Sequence, residues 1–157
     1  LHRNAQLIER FYTAFQRRDG DAMAACYAPD VKFSDPVFPA LVGPRAGAMW
    51  KMLCLRARDL SIEFREVQAN ESEGSAHWDA RYSFARTGRS VLNRIDARFR
   101  FRSGLIIEHS DAFSFWRWSR QALGPAGLLL GWSPVLKNKV RKTAAEGLEE
   151  FLAKGNA

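Results

Sequence analysis

The feature that most constrains this fold is a change of hydrophobic period near Asp59. Before it, apolar residues recur at helical spacing. Leu7, Ile8, Phe11, Ala14 and Phe15 form one stripe, and Met49, Trp50, Leu53, Cys54 and Ala57 form another. After it, apolar and polar residues alternate. Leu60, Ile62 and Phe64 alternate with Ser61, Glu63 and Arg65. Trp78, Ala80, Tyr82 and Phe84 alternate with His77, Asp79, Arg81 and Ser83. Ile95, Ala97, Phe99 and Phe101 alternate with arginines and Asp96. Helices followed by an antiparallel run predict an α+β domain, with helices packed on one face of a curved sheet. The 157 residues, 46% of them hydrophobic, suffice for one core without disulfides or a structural metal.

Local signals place the elements. Asn4 is the candidate N-cap of the first helix. Asp19 would cap a short second helix carrying Met23, Cys26 and Tyr27 and ending at Pro29. Val31 to Asp35 reads as a short strand halted by Pro36, and Gly43-Pro44 opens the third helix. Ile107, His109, Asp111, Phe113 and Phe115 share one face of the last strand, and Gly88 and Gly104 mark turns. The tail continues with a loop or short helix from Gly124 to Trp132. A basic helix then runs from Pro134 to about Lys154, with Leu136, Val140, Ala144, Leu148, Phe151 and Leu152 on its apolar side. Residues 1–118 are expected to form the domain, and 119–157 a helical extension packed back on it.

Four polar residues break the strand pattern. Asn93, His109 and Asp111 share the parity of core residues, and Asp35 closes its strand just before Pro36. Polar groups facing an apolar interior are costly unless paired. Several together therefore predict a lined pocket. His109 and Asp111, two apart on one strand, project the same way. A carboxylate in such a pocket has its pKa raised into the range useful for proton transfer. Asp35, His109 and Asp111 are accordingly the candidate catalytic residues. Tyr27, Trp50, Trp78, Tyr82, Asn93 and Phe113 are the candidate substrate-binding residues. Tyr27 and Trp78 need polar partners if buried. One histidine and two separated carboxylates are too sparse for a metal site, and there is no phosphate-binding glycine loop or nucleophile elbow.

The formal charge is +7. Arg94, Arg98, Arg100 and Arg102 share the parity away from the pocket, where Glu63, Asp79, Asp96 and Glu108 can pair with them. Aromatics are not interleaved with these arginines, which argues against a nucleic-acid groove. Lys137, Lys139, Arg141, Lys142 and Lys154 lie on the tail helix. Such a helix can lie on an acidic membrane surface, but packing over the domain is the favoured reading. Leu1–Arg18 is interrupted by Arg3, Glu9 and Arg10, so it reads as a helix and not a leader. Cys26 and Cys54 read as buried, reduced thiols, consistent with the cytoplasm.

Phe11-Tyr12, Asp19, the run Tyr27 to Val31, Phe33-Ser34-Asp35-Pro36, Gly43 and the run Phe101 to Asp111 together resemble the SnoaL-like and ketosteroid-isomerase-like branches of the nuclear-transport-factor-2-like superfamily. The resemblance spans about Asn4 to Phe115. It implies a cone-shaped (cystatin-like) fold with a hydrophobic pocket closed by a bent sheet, and a homodimer formed through the sheet face. It also implies acid/base catalysis of isomerase, cyclase or dehydratase type, without cofactor, on a small apolar organic molecule. Asp35, in its Ser34-Asp35-Pro36 setting, matches the general base of the isomerases. Phe11 and Ala97 stand where those enzymes carry their two oxyanion donors, so steroid isomerisation itself is not implied. A non-catalytic ligand-binding or dimeric assembly module is the alternative.

Overall fold

In the computed structural model, which describes residues 1–155, the period change near Asp59 marks the passage from helices to sheet. Three helices come first: α1 (Arg3–Gln16), α2 (Gly20–Ala25) and α3 (Pro44–Arg56). Strands β1 (Tyr27–Ser34) and β2 (Leu41–Val42) lie between α2 and α3. A meander follows, made of β3 (Ser61–Ala69), β4 (Glu73–Ser83), β5 (Ser90–Arg102) and β6 (Leu105–Ala112). The chain ends in α4 (Phe115–Leu123), α5 (Pro125–Leu130) and α6 (Pro134–Ala153). The six strands form one curved sheet in the order β2-β1-β6-β5-β4-β3, in which only β1 and β6 run parallel.

The apolar stripes do what their spacing dictates. Leu7, Ile8, Phe11, Ala14 and Phe15 of α1 and Met49 and Trp50 of α3 are buried against the inner face of the sheet. The inner residues of β5 alternate strictly with exposed ones, from Asn93 to Phe101. Gly88 and Gly104 turn the chain with φ of 70° and 78°, a region glycine enters without steric cost.

Several local expectations are corrected. His2, not Asn4, caps α1: its Nδ1 accepts from the Asn4 backbone N–H. The Asn4 side chain instead ties the helix to the β3–β4 turn at Asn70 and Glu71. Tyr27 belongs to β1 and not to the second helix, and Pro29 sits inside the strand. Pairing with β6 slips between Tyr27 and Lys32, so proline's missing N–H removes no regular ladder bond there. A bulge between β5 and β6 puts Ile106, not Ile107, in the core before the alternation resumes at His109. Phe115 lies outside the last strand. Ser114 accepts from the Arg117 N–H and starts α4 there, so the expected boundary after Trp118 falls inside a helix.

The extension packs back on the domain. Leu148 and Phe151 of α6 join the main core, and Arg56 of α3 stacks over the Phe151 ring at 5.9 Å. Arg45 pairs with Glu149, and Arg141 Nε donates to the Pro36 carbonyl at 2.9 Å. A second, smaller core of Val91, Phe115, Trp118 and Ala122 forms under α4 and is touched by Val140 of α6. Residues 156–157 of the expected extension lie outside the described residues.

Candidate active site

The inner face of β6 delivers His109 and Asp111, 1% and 6% exposed, into the aromatic core. Because they are two apart on one strand, His109 Nε2 meets Asp111 Oδ1 at 2.9 Å. The other ring nitrogen, Nδ1, lies 2.7 Å from the Tyr27 hydroxyl, which in turn accepts from Trp50 Nε1 at 2.7 Å. Trp78 Nε1 makes a longer bond to the same Asp111 oxygen, at 3.4 Å. Tyr27 lies on β1, Trp50 on α3, Trp78 on β4 and His109 on β6, so the chain of bonds stitches all layers together. One pattern satisfies every member: Trp50 donates to Tyr27, Tyr27 to His109 Nδ1, and His109 Nε2–H to the Asp111 carboxylate. Burial pushes the Tyr27 hydroxyl well above its ordinary pKa, so it serves as a proton donor.

His109 is closed in on every side. Phe99 lies 4.4 Å from its ring centre, Phe33 5.0 Å, Phe11 5.4 Å and Trp50 5.9 Å. Both of its nitrogens are taken by protein groups. It therefore acts on anything else through Asp111.

Asp35 stands apart from this chain. It follows β1, and its Oδ1 accepts from the backbone N–H groups of Val37 (2.7 Å) and Phe38 (2.6 Å). Its own N–H donates to the Phe38 carbonyl at 2.9 Å. The tight turn, made with Pro36, fixes the carboxyl and leaves Oδ2 without a hydrogen bond among the described residues. Burial pushes the Asp35 carboxyl up to about 6; the bonds from Phe38 and Val37 and the charge of His109 oppose this, and the Asp111 charge adds to it. Asp35 thus lies within electrostatic reach of both partners. No hydrogen bond or ion pair joins it to them among the described residues.

The other predicted residues are dispersed. Tyr82 is half-buried beside Asp35 and accepts from Trp118 Nε1 at 2.8 Å. Phe113 packs against both apolar cores, as do Val37 and Tyr82, so these three line the seam between them. Asn93 is buried but faces a separate cleft of about 420 Å³ beside Arg94, Arg117, Arg120 and Gln121. A cleft of about 460 Å³ lies over the outer face of the sheet, between Lys32, Arg98, Arg100 and Glu108. Of the three acid/base candidates, His109 is among its lining residues, and Asp35 and Asp111 are not.

Sequence reasoning missed Tyr12. It reads as one residue off the helix face, yet it is fully buried, 5.5 Å from the Phe64 ring and 5.8 Å from that of Trp78. Its hydroxyl has no hydrogen-bond partner among the described residues. Burial raises its pKa well above the ordinary value, and the nearby charge of Asp111 adds to this. The available signal was adjacency: Phe11 and Tyr12 are both large and apolar, and a helix crossing a wide sheet buries more than one row of side chains.

Helices packed on one curved six-stranded sheet define a class of small α+β proteins. The family model for the SnoaL-like domain matches residues 8–109, and the chain belongs to that family. Solved structures agree on the fold. A candidate polyketide cyclase from Xanthomonas campestris pv. campestris is 24% identical with a TM-score of 0.64; the match covers 76% of this chain and 96% of that one. An NTF2-like protein of unknown function from Burkholderia pseudomallei is 20% identical (TM-score 0.67, covering 77% and 98%). An LEH-like epoxide hydrolase from M. tuberculosis is 17% identical (TM-score 0.61, covering 85% and 95%). No curated protein matches the chain. The first two structures are matched nearly whole, yet about a quarter of this chain has no counterpart in either.

Proposed function

We propose that the chain is a cofactor-independent acid/base enzyme acting on a small apolar organic molecule, with Asp35 as the proton-abstracting base. One observation carries this reading: a fixed carboxyl with a pKa of about 6 and one free oxygen, at the seam between two apolar cores. At neutral pH it is mostly ionised, yet basic enough to take a proton from carbon beside a carbonyl. The electron pair left behind moves onto the carbonyl oxygen. Asp111, held by His109, adds to the charge that Asp35 feels, and the Tyr12 and Tyr27 hydroxyls, which feel the charge of Asp111, keep their protons and are the candidate donors of this core. His109 is a positioning residue in this scheme. The reaction class is isomerisation, aldol-type cyclisation or dehydration, consistent with the cyclase description of one structural neighbour. The same reading puts a second copy of the chain on the outer sheet face.

The second reading is a ligand-binding module without catalysis. The observation that favours it is the aromatic packing around His109, which fills the interior. Deuterium uptake by small enolisable ketones, followed by NMR in heavy water, separates the two. The enzyme reading expects exchange with an acidic limb near pH 6, lowered roughly 100-fold or more by Asp35→Asn. Undiminished exchange in the variant removes Asp35 from the role. No exchange by the parent protein with any ketone favours the binding module.

A further inference from the structure

Helix α5 is built the wrong way round for a helix that faces water. Its small residue Gly127 is buried against α4, where an added Cβ would collide with the Ser119 carbonyl; Gly131, just beyond the helix, is equally tight against the Ser119 hydroxyl. That backbone-close packing turns Leu128, Leu129 and Leu130 outward, 50%, 68% and 51% exposed. Trp132 and Val135 follow, 75% and 78% exposed. The Trp132 N–H is already spent on the Leu129 carbonyl at 2.8 Å, so what it presents is a ring with its polar atom satisfied. Five large apolar side chains within eight residues form a continuous patch, and such patches mark interaction sites.

The surroundings state the partner's charge. From Ala112 to Ala145 the chain carries six basic residues and no Asp or Glu. Arg117, Arg120, Lys139 and Lys142 are exposed. Arg141 donates to Pro36, Arg120 lies over the Trp116 ring at 4.8 Å and Lys137 over the Phe115 ring at 5.8 Å, and none of the six is in an ion pair among the described residues. Beside the patch, Arg94, Arg117 and Arg120 line the 420 Å³ cleft with Asn93 and Gln121; none of the three arginines forms an ion pair among the described residues. No described helix is long and apolar enough to cross a membrane. A short apolar ridge rimmed by unpaired cations has the chemistry of an element that lies in the headgroup region.

We infer that α5 and the start of α6 dock the protein on an anionic phospholipid surface. Leu128–Leu130, Trp132 and Val135 enter the acyl boundary, and the arginine-lined cleft receives headgroup phosphate. The inference does not depend on the acid/base reading. It is tested by sedimentation of the full chain with vesicles of phosphatidylcholine alone or mixed with phosphatidylglycerol. Binding is expected only to the mixed vesicles, weakening as salt rises. Leu129→Asp combined with Trp132→Ser should lower partitioning by roughly tenfold or more. Lys139→Glu with Lys142→Glu should do the same through charge alone. All four positions are exposed, so thermal unfolding of both variants should match the parent. Absence of binding to mixed vesicles overturns the inference, as does equal binding by both variants. A concentration-dependent dimer that Leu129→Asp dissolves overturns it too, by showing that a second copy covers the patch.

Discussion

The interior around His109 and the short helix α5 are both dominated by apolar residues, and they sort them in opposite ways. In the interior, Trp50, Phe11, Phe33 and Phe99 are at most 2% exposed, and the polar atoms of Tyr27, Trp50 and His109 among them are hydrogen-bonded. In α5 the buried position is a glycine and the large residues are outside. The first arrangement removes apolar surface from water, the main source of folding free energy. The second leaves that surface in water and gains only the close backbone packing of α4 on α5. The contrast separates residues that hold the fold from residues available for something else. The family match ends at His109, before α4 and α5 begin.

The largest effect that would break this comparison is a reversal of stability costs. His109→Ala leaves a void among five aromatic rings and strips partners from Tyr27 and Asp111. The expected loss is about 3–5 kcal/mol, read from the urea midpoint. Leu129→Asp, in the ridge of α5, should change stability by no more than about 0.5 kcal/mol. Comparable losses at the two sites would mean that α5 is part of the folding core after all.

A smaller effect sharpens the comparison at Asp35, which is turned toward the interior but stands outside its chain of hydrogen bonds. Its carboxyl titrates near 6 in the folded protein against an ordinary 3.8. The neutral acid is therefore favoured by folding. The stability this provides is fully present below pH 3.8 and is lost as pH rises through about 6. Asp35→Asn, neutral at every pH, keeps an oxygen for the Val37 and Phe38 N–H groups. It should stabilise the protein by about 1–3 kcal/mol near pH 8 and change little below pH 4, in paired denaturant curves. A variant no more stable at high pH than the parent would show that the carboxylate is solvated in solution.

How much of this was legible in the sequence follows the same divide. Period and parity exposed the α+β order, the strand-paired His109 and Asp111 and the break at Pro36, because alternation is a local consequence of the pleat. Tyr27 and Trp78 could be flagged because a buried polar atom needs a partner. Their actual partners could not be named, since Trp50, Tyr27 and His109 come from three elements distant in the chain. The bulge that exchanges Ile106 for Ile107 was invisible, because it depends on how β5 and β6 meet. Gly127 gave no warning either. A glycine inside Leu-rich sequence looks like a flaw in a helix until the opposing Ser119 carbonyl is in place.

The smallest effect concerns two tyrosines. Tyr27 and Tyr12 are both buried in the same core, but the Tyr27 hydroxyl joins Trp50 to His109, and the Tyr12 hydroxyl bonds to nothing among the described residues. Removing a bonded buried hydroxyl strands its partners, and Tyr27→Phe should lose about 1–2 kcal/mol. Removing an unbonded one relieves a desolvation penalty, so Tyr12→Phe should be neutral or gain up to about 1 kcal/mol. A fold selected for stability alone would have phenylalanine at position 12, as it has at position 11. Keeping the hydroxyl near Asp111 makes sense if it bonds to a ligand or to a proton in transit. Tyr12→Phe should therefore slow ketone exchange while leaving the unfolding curve level or higher. If it destabilises as much as Tyr27→Phe, its hydroxyl has a structural partner in solution and is not held in reserve for a ligand or a proton in transit.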